Sequence, residues 1–279
     1  MHAIHVAYFL YALDQLHDAE NCHPHPRITV ECFSIPFFLA AILALVNTLL
    51  AYYFMRETLK KNAGGLRSQF NLQALKSVIK QPSVLRISLI LLLIQISWST
   101  YYQFIPPILK TLYGFGPHQL GWFLGMIAFW LALATGVGIK LLDGALTVRQ
   151  LLLLSAYLVL AGLIITLFGC CYTFPHHLWA IWAGAIPTAT GDVIAYSCLA
   201  ALYSNVVAHE KQGKVMGVNF IVVASAWAGT GFLGGLLMSL SPLLPLFIAP
   251  AGIIASIVLI HTDFGKRLAS EELETVESA

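Results

Sequence analysis

Apolar and polar residues separate along this chain into long blocks. From Phe33 onward, apolar runs of about twenty residues or more occupy 33–55, 87–112, 118–139, 150–171, 178–205, 215–239 and 243–261. As a helix rising about 1.5 Å per residue, a run of that length crosses a hydrocarbon core of roughly 30 Å. No water at that depth satisfies backbone N–H and C=O groups, so such runs cross as helices. The pattern predicts an all-α, polytopic membrane protein with about seven spans.

The gaps between the runs alternate in character. Arg56, Lys60, Lys61, Arg67, Lys76, Lys80 and Arg86 fill the gap at 56–86, and Lys140 with Arg149, Lys211 with Lys214, and Lys266 with Arg267 fill every second gap after it. Only Arg27 and Lys110 of the fifteen Lys and Arg fall elsewhere. Basic residues mark the cytoplasmic side, so the expected topology puts the N-terminus outside and the C-terminus in the cytoplasm. The corresponding organisation is an irregular external leader at 1–32, a span at 33–55, a cytoplasmic central loop at 56–86, a six-span bundle at 87–262 and a cytoplasmic tail at 263–279. The loop holds a candidate short amphipathic helix at 71–80, with Leu72, Leu75, Val78 and Ile79 on one side.

Composition agrees with this reading. The chain is 58% hydrophobic and 10% charged, where soluble domains carry about 25% charged residues. The basic residues border spans and lack an interleaved aromatic platform, so the lipid bilayer is the expected partner and nucleic acid is not. The five cysteines form no CxxC pair. His2, His5, His17, His23 and His25 with Cys22 and Cys32 match no zinc spacing, which leaves the leader either an external metal-binding arm or unstructured. Nothing resembles a nucleophile–base pair, a phosphate loop or paired catalytic carboxylates, so no enzyme and no bound cofactor or metal is expected.

Candidate chemistry lies inside the spans, where a charged side chain is costly and faces a cavity or a partner. Asp192 sits near the middle of 178–205 and shares a helical face with Thr188, Tyr196 and Tyr203, one turn after Pro187. Two readings stand: a carboxyl that carries a proton, or one held by hydrogen bonds to a neighbouring helix. Gln95, Ser99, Tyr102, Gln103, Pro106 and Lys110 form a polar stripe on 87–112 that lipid would reject. Lys110, near the outer end, can snorkel to the interface. Gly229, Gly231 and Gly234 spell GxGxxG with no strand before them, which removes the dinucleotide reading. Gly121 with Gly125 and Gly231 with Gly235 form GxxxG pairs, the spacing of close helix packing. Trp122, Trp130, Trp179, Trp182 and Trp227 read partly as interfacial anchors, with an aromatic substrate cage as the weaker alternative. His176 and His177 read as loop residues.

Several segments carry a family likeness. They are IPFFLAAILALVNTLLAYYFMRET (Ile35 to Thr58), HEKQGKVMG (His209 to Gly217), GTGFLGG (Gly229 to Gly235) and GVGIKLLDGALTVRQ (Gly136 to Gln150). Through them the chain resembles the carboxyl-terminal portion of a major facilitator superfamily transporter, in the drug:proton antiporter branch that includes the tetracycline-efflux proteins. Over 33–262 the resemblance implies helices six to twelve of a twelve-helix protein. There the seventh and tenth helices, carrying Gln95 and Asp192, line a substrate site between two six-helix halves. It also implies proton-coupled efflux of a small molecule across a plasma membrane of the bacterial inner-membrane type, with the proton gradient as driving force. The first five helices of such a protein have no counterpart here, which implies a missing amino-terminal half or a second chain as partner. A truncated, non-transporting remnant and a metabolite importer of the same fold are the alternatives.

Overall fold

The computed structural model describes residues 28–54, 81–142, 144, 146–171, 178–206 and 212–262, with side chains in the first stretch from residue 41. Every regular element among them is helical. They are α1 (Ile28–Phe54), α2 (Pro82–Tyr113), α3 (Pro117–Leu133), a π-helical turn (Ala134–Gly138), α4 (Ile139–Leu142), α5 (Val148–Cys171), α6 (Leu178–Asn205), α7 (Gln212–Leu240) and α8 (Leu244–His261). Six stretches among the described residues are long and apolar enough to cross a membrane: α2, α3 with its continuation, α5, α6, α7 and α8. The molecule is therefore an all-α polytopic membrane protein.

Local signals explain the helix ends. Pro82 opens α2, where a missing N–H costs nothing and φ is already helical. Gly114, at φ 65°, closes it by turning the backbone left-handed and returning its N–H to the carbonyls of Leu109 and Lys110. Thr147 and Gln150 cap α5 reciprocally: the Gln150 backbone N–H donates to Thr147 Oγ1 at 3.3 Å, and the Thr147 N–H to Gln150 Oε1 at 3.0 Å. Helices α1 and α2 begin at Ile28 and Pro82, a little over one turn before the apolar runs at 33 and 87, because a charged residue, Glu31 in α1 and Arg86 in α2, interrupts the apolar pattern near the start of each. Widening of α3 to a π-helical turn falls on Ala-Thr-Gly-Val-Gly, which offers little side-chain packing to hold the tighter α-helical ladder.

The chain divides into two compact units, one holding α1 and residues 115–128, the other residues 82–114 and 129–262. In the first, the described part of α1 exposes Leu45, Leu49, Leu50, Tyr52 and Phe54, the apolar surface that a span presents to lipid. The second unit is organised around α2, the most buried span, which touches α5, α6, α7 and α8.

Within the second unit, α5 and α6 form the most extensive helix pair. Small residues make that closeness possible. A Cβ placed on Gly184 would lie 2.7 Å from the Gly162 carbonyl oxygen, and one on Gly191 would lie 2.5 Å from the Ser155 carbonyl oxygen. Gly162 in turn faces Thr188, and Gly169 faces Ile181. With lipid as apolar as any side chain, such van der Waals seams do much of the work that the hydrophobic effect does in water. Gly252 of α8 meets α2 similarly, against Ser97 and the Leu93 carbonyl.

The histidine- and cysteine-containing leader through residue 27, the loop at 55–80 with its candidate amphipathic helix, Asp143, His176, His177, Lys211 and the tail from 263 lie outside the described residues.

Candidate functional site

Three helices bring their polar side chains together inside the second unit. Gln95 of α2 is the node. Its Nε2 donates to Asp192 Oδ1 of α6 at 3.2 Å, and its Oε1 accepts from Trp227 Nε1 of α7 at 3.3 Å. One buried amide thus ties three spans together. A turn further along α2, Ser99 Oγ donates to the Gln95 carbonyl and lies 2.9 Å from Thr230 Oγ1 of α7. Gln103 Nε2 donates to the same Thr230 hydroxyl at 3.1 Å and to the Trp227 carbonyl at 3.2 Å. Gln95, Ser99, Asp192 and Thr230 are buried, whereas Tyr102, Gln103, Tyr196 and Trp227 are half-buried.

Aromatic rings border this cluster. Trp98 and Tyr102 stand 5.3 Å apart between ring centroids, and Tyr102 and Trp227 stand 5.9 Å apart. The α2 stripe therefore alternates amide, hydroxyl and ring, as helical spacing requires of positions 95, 98, 99, 102 and 103. Asp192 is 6% exposed, and no cationic side chain pairs with it among the described residues. At one end of the same helix pair, Tyr203 of α6 donates to Ser88 Oγ of α2 at 2.7 Å.

The residues singled out from the sequence have different fates. Gln95, Ser99, Gln103 and Asp192 meet in one network, and Tyr102 joins its aromatic edge. Tyr196 lies one turn from Asp192, beside Asn219 of α7. Thr188, grouped with Asp192 by its four-residue spacing, is instead fully buried in the α5–α6 seam, its hydroxyl donating to the Gly184 carbonyl at 2.7 Å. Lys110 is exposed near the C-terminal end of α2. In α3, Gly121 is buried and Gly125 half-buried.

The glycines of α7 also separate. Gly234 faces the Phe104 ring of α2, so closely that a Cβ there would overlap it. A Cβ on Gly231 would approach only Gln103 Oε1, and one on Gly235 would find nothing within 4 Å. Gly231 therefore packs against Gln103 of α2, while tight packing of Gly235 requires a partner other than the described residues.

Asn219 and Thr230 do not stand out in the sequence, and Trp227, read there mainly as an anchor, donates to Gln95 in this network. A signal exists: Asn219, Val223, Trp227, Thr230 and Gly234 recur at three- and four-residue spacing, marking the face of α7 that turns toward α2 and α6. The glycine pattern around Thr230 hid it, and a tryptophan at an unknown depth reads equally well as an anchor. Asn219 is 1% exposed, and its Oδ1 has no hydrogen-bond partner among the described residues.

No curated protein matches the chain significantly. The family model described as Major Facilitator Superfamily matches residues 28–231, which spans α1 through most of α7 and every residue of the Gln95 network. With that match over most of its length, and with helices able to cross a membrane repeatedly, the chain belongs to the major facilitator superfamily, a family of transporters that move small molecules through membranes.

Proposed function

We propose that the chain exports a small molecule in exchange for protons, and that Asp192 is the proton-carrying group. The observation that carries this reading is the Gln95–Asp192 hydrogen bond, which holds an acidic side chain without a cationic partner among described residues inside the bundle. A carboxyl at membrane depth is expensive unless it does something, and alternating protonation is the use for which a carboxyl is suited. Its one described partner is a neutral amide, which tolerates both states: Nε2 donates to a carboxylate oxygen and equally to the carbonyl oxygen of the protonated acid.

Gln95, Ser99, Tyr102, Gln103 and Tyr196 then line the substrate path, and Trp227 and Thr230 join them from α7. The bundle from α2 to α8 works against a second six-helix half, supplied by an amino-terminal half or by a second chain, with the site between them. The basic loop at 56–86 lies on the cytoplasmic side, with the N-terminus outside, in a plasma membrane of the bacterial inner-membrane type.

The experiment is gradient-dependent accumulation in inverted membrane vesicles containing the full chain, scanned over small drugs, sugars and other metabolites. Accumulation that collapses when a protonophore is added supports the reading. Movement in the opposite sense identifies an importer of the same fold. Absence of any gradient-dependent flux, with no substrate bound by the purified protein, overturns the reading in favour of a non-transporting remnant.

A further inference from the structure

We infer that Tyr196 and Asn219 hold a water molecule and with it pass the Asp192 proton toward the end of the bundle where α6 finishes and α7 begins. This route rests on the transport reading above and deepens it. The clue is a buried amide short of a partner. Asn219 of α7 is 1% exposed, and its Oδ1 accepts no hydrogen bond from the described residues. An acceptor buried in that state costs about 1–3 kcal/mol, and lipid offers no donor to relieve it.

The surroundings say what kind of molecule satisfies it. Asn219 lies beside Tyr196 of α6, and Tyr196 is half-buried, so the pair is open on one side. Apolar positions flank them: Val215, Val218 and Val223 of α7 and Ala195 and Leu199 of α6 are all buried. Among the described residues no group of His, Cys, Asp and Glu stands where a metal ion could be held. A ligand with many polar groups therefore finds too few partners here. Water needs about two to four, and Asn219 Oδ1 with the Tyr196 hydroxyl supplies the first of them.

Position supplies the direction. Tyr196 follows Asp192 by one turn, about 6 Å along α6, and four-residue spacing makes their side chains neighbours. Asn219 precedes Trp227, which meets Gln95, by about 12 Å along α7. Both steps lead toward the short α6–α7 connection, where Lys214 is exposed, the end that basic residues mark as cytoplasmic. In the opposite direction the hydroxyls of Ser99 and Thr230 and the Gln103 amide are already bonded to one another.

In the step itself the Asp192 O–H bond breaks as its proton joins the Tyr196 hydroxyl oxygen. Tyr196 gives its own proton to the water, and the water releases one proton toward the cytoplasm. Tyr196 and the water end as they began, Asp192 is left as a carboxylate, and one proton has moved; the reverse sequence reloads the acid. Asn219 exchanges no proton and acts as a positioning residue, holding the water with its carbonyl oxygen.

The test is infrared difference spectroscopy of the full chain in lipid nanodiscs on transfer from H2O to D2O. The stretch of the protonated Asp192 carboxyl, identified by its loss in D192N, shifts when deuterium replaces its proton, so the rate of the shift reads the route. N219L and Y196F are expected to slow the shift about tenfold or more, toward the low end of what positioned proton transfer contributes. N219S, which keeps an oxygen and leaves space for water, is expected to exchange within about threefold of the parent. Parental rates in N219L and Y196F overturn the inference. So does equal slowing in N219L and N219S, which would mean packing alone, and so does the lack of a protonated Asp192 band at any pH the protein tolerates. Flux in the vesicles separates this claim from the transport reading. Slowed exchange in N219L without gradient-driven flux in the parent leaves the route standing and removes the transport reading. Parental exchange in N219L alongside gradient-driven flux does the reverse.

Discussion

Replacing Gly191 with alanine tests how packing positions the site. Gly191 precedes Asp192 and faces α5, and a methyl group there would lie 2.5 Å from the Ser155 carbonyl oxygen, 2.8 Å from Val159 Cγ2 and 2.9 Å from the Val159 backbone nitrogen. Two of these three neighbours are backbone atoms, which no rotamer change can remove. Ordinary contact begins near 3.4 Å, so α5 and α6 must part locally by about 0.9 Å. Overpacking of this kind costs about 1–3 kcal/mol. Alanine's better helix propensity returns at most about 1 kcal/mol. The net expectation is a loss of up to about 2–3 kcal/mol against the parent and of about 1–3 kcal/mol against an alanine control that gains the same propensity. It comes together with a displaced Asp192 whose 3.2 Å bond to Gln95 has little length to spare. Unfolding in detergent–lipid micelles, followed by tryptophan fluorescence, measures the stability term. Gly217→Ala, with nothing within 4 Å of a Cβ, is the control and should unfold like the parent protein or slightly later. If Gly191→Ala were as stable as that control, the close α5–α6 seam would be wrong.

Other substitutions probe the rest of the network. Gln95→Leu leaves the Trp227 N–H and the Asp192 carboxyl without their described partner; buried hydrogen bonds between spans are worth about 0.6–2 kcal/mol each, so the same unfolding assay should show a loss of about 1–4 kcal/mol. Tyr203→Phe removes the α6–α2 bond to Ser88 but leaves Ser88 donating to the Val84 carbonyl, and should cost only about 0.5–1 kcal/mol. Gly234→Val drives a branched side chain into Phe104 and should destabilise by about 1–3 kcal/mol, while Gly235→Ala should be neutral in the same assay.

The spans are legible in the sequence because a bilayer imposes one requirement on every crossing segment: about twenty apolar residues with internally paired backbone. That requirement carries no information about partners. Gln95 and Asp192 stand out because each is polar within an apolar run, yet nothing at position 95 says that its amide reaches both 192 and 227. Thr188 illustrates the reverse. Its spacing to Asp192 places both on roughly one side of α6, but helical steps of three and four residues drift around the axis, and Thr188 lands in the seam with α5. Thr230 was hidden for a local reason, standing between Gly229 and Gly231 where the small residues invite a packing interpretation. The π-helical turn at Ala134–Gly138 has no periodic signature at all, since only five residues depart from the α-helical ladder.

Proton coupling through Asp192 is the central claim, and one measurement addresses it most directly. Parent protein and Asp192→Asn are placed in inverted vesicles at matched levels, and substrate accumulation is followed while an imposed pH gradient is varied. Asparagine preserves shape and an acceptor for Gln95 while losing the titratable proton. The account predicts that accumulation by the parent rises with the gradient, and that Asp192→Asn stays at the level seen with no gradient even though it unfolds within about 1 kcal/mol of the parent, as isosteric changes usually do. Accumulation by Asp192→Asn that still follows the gradient would contradict it.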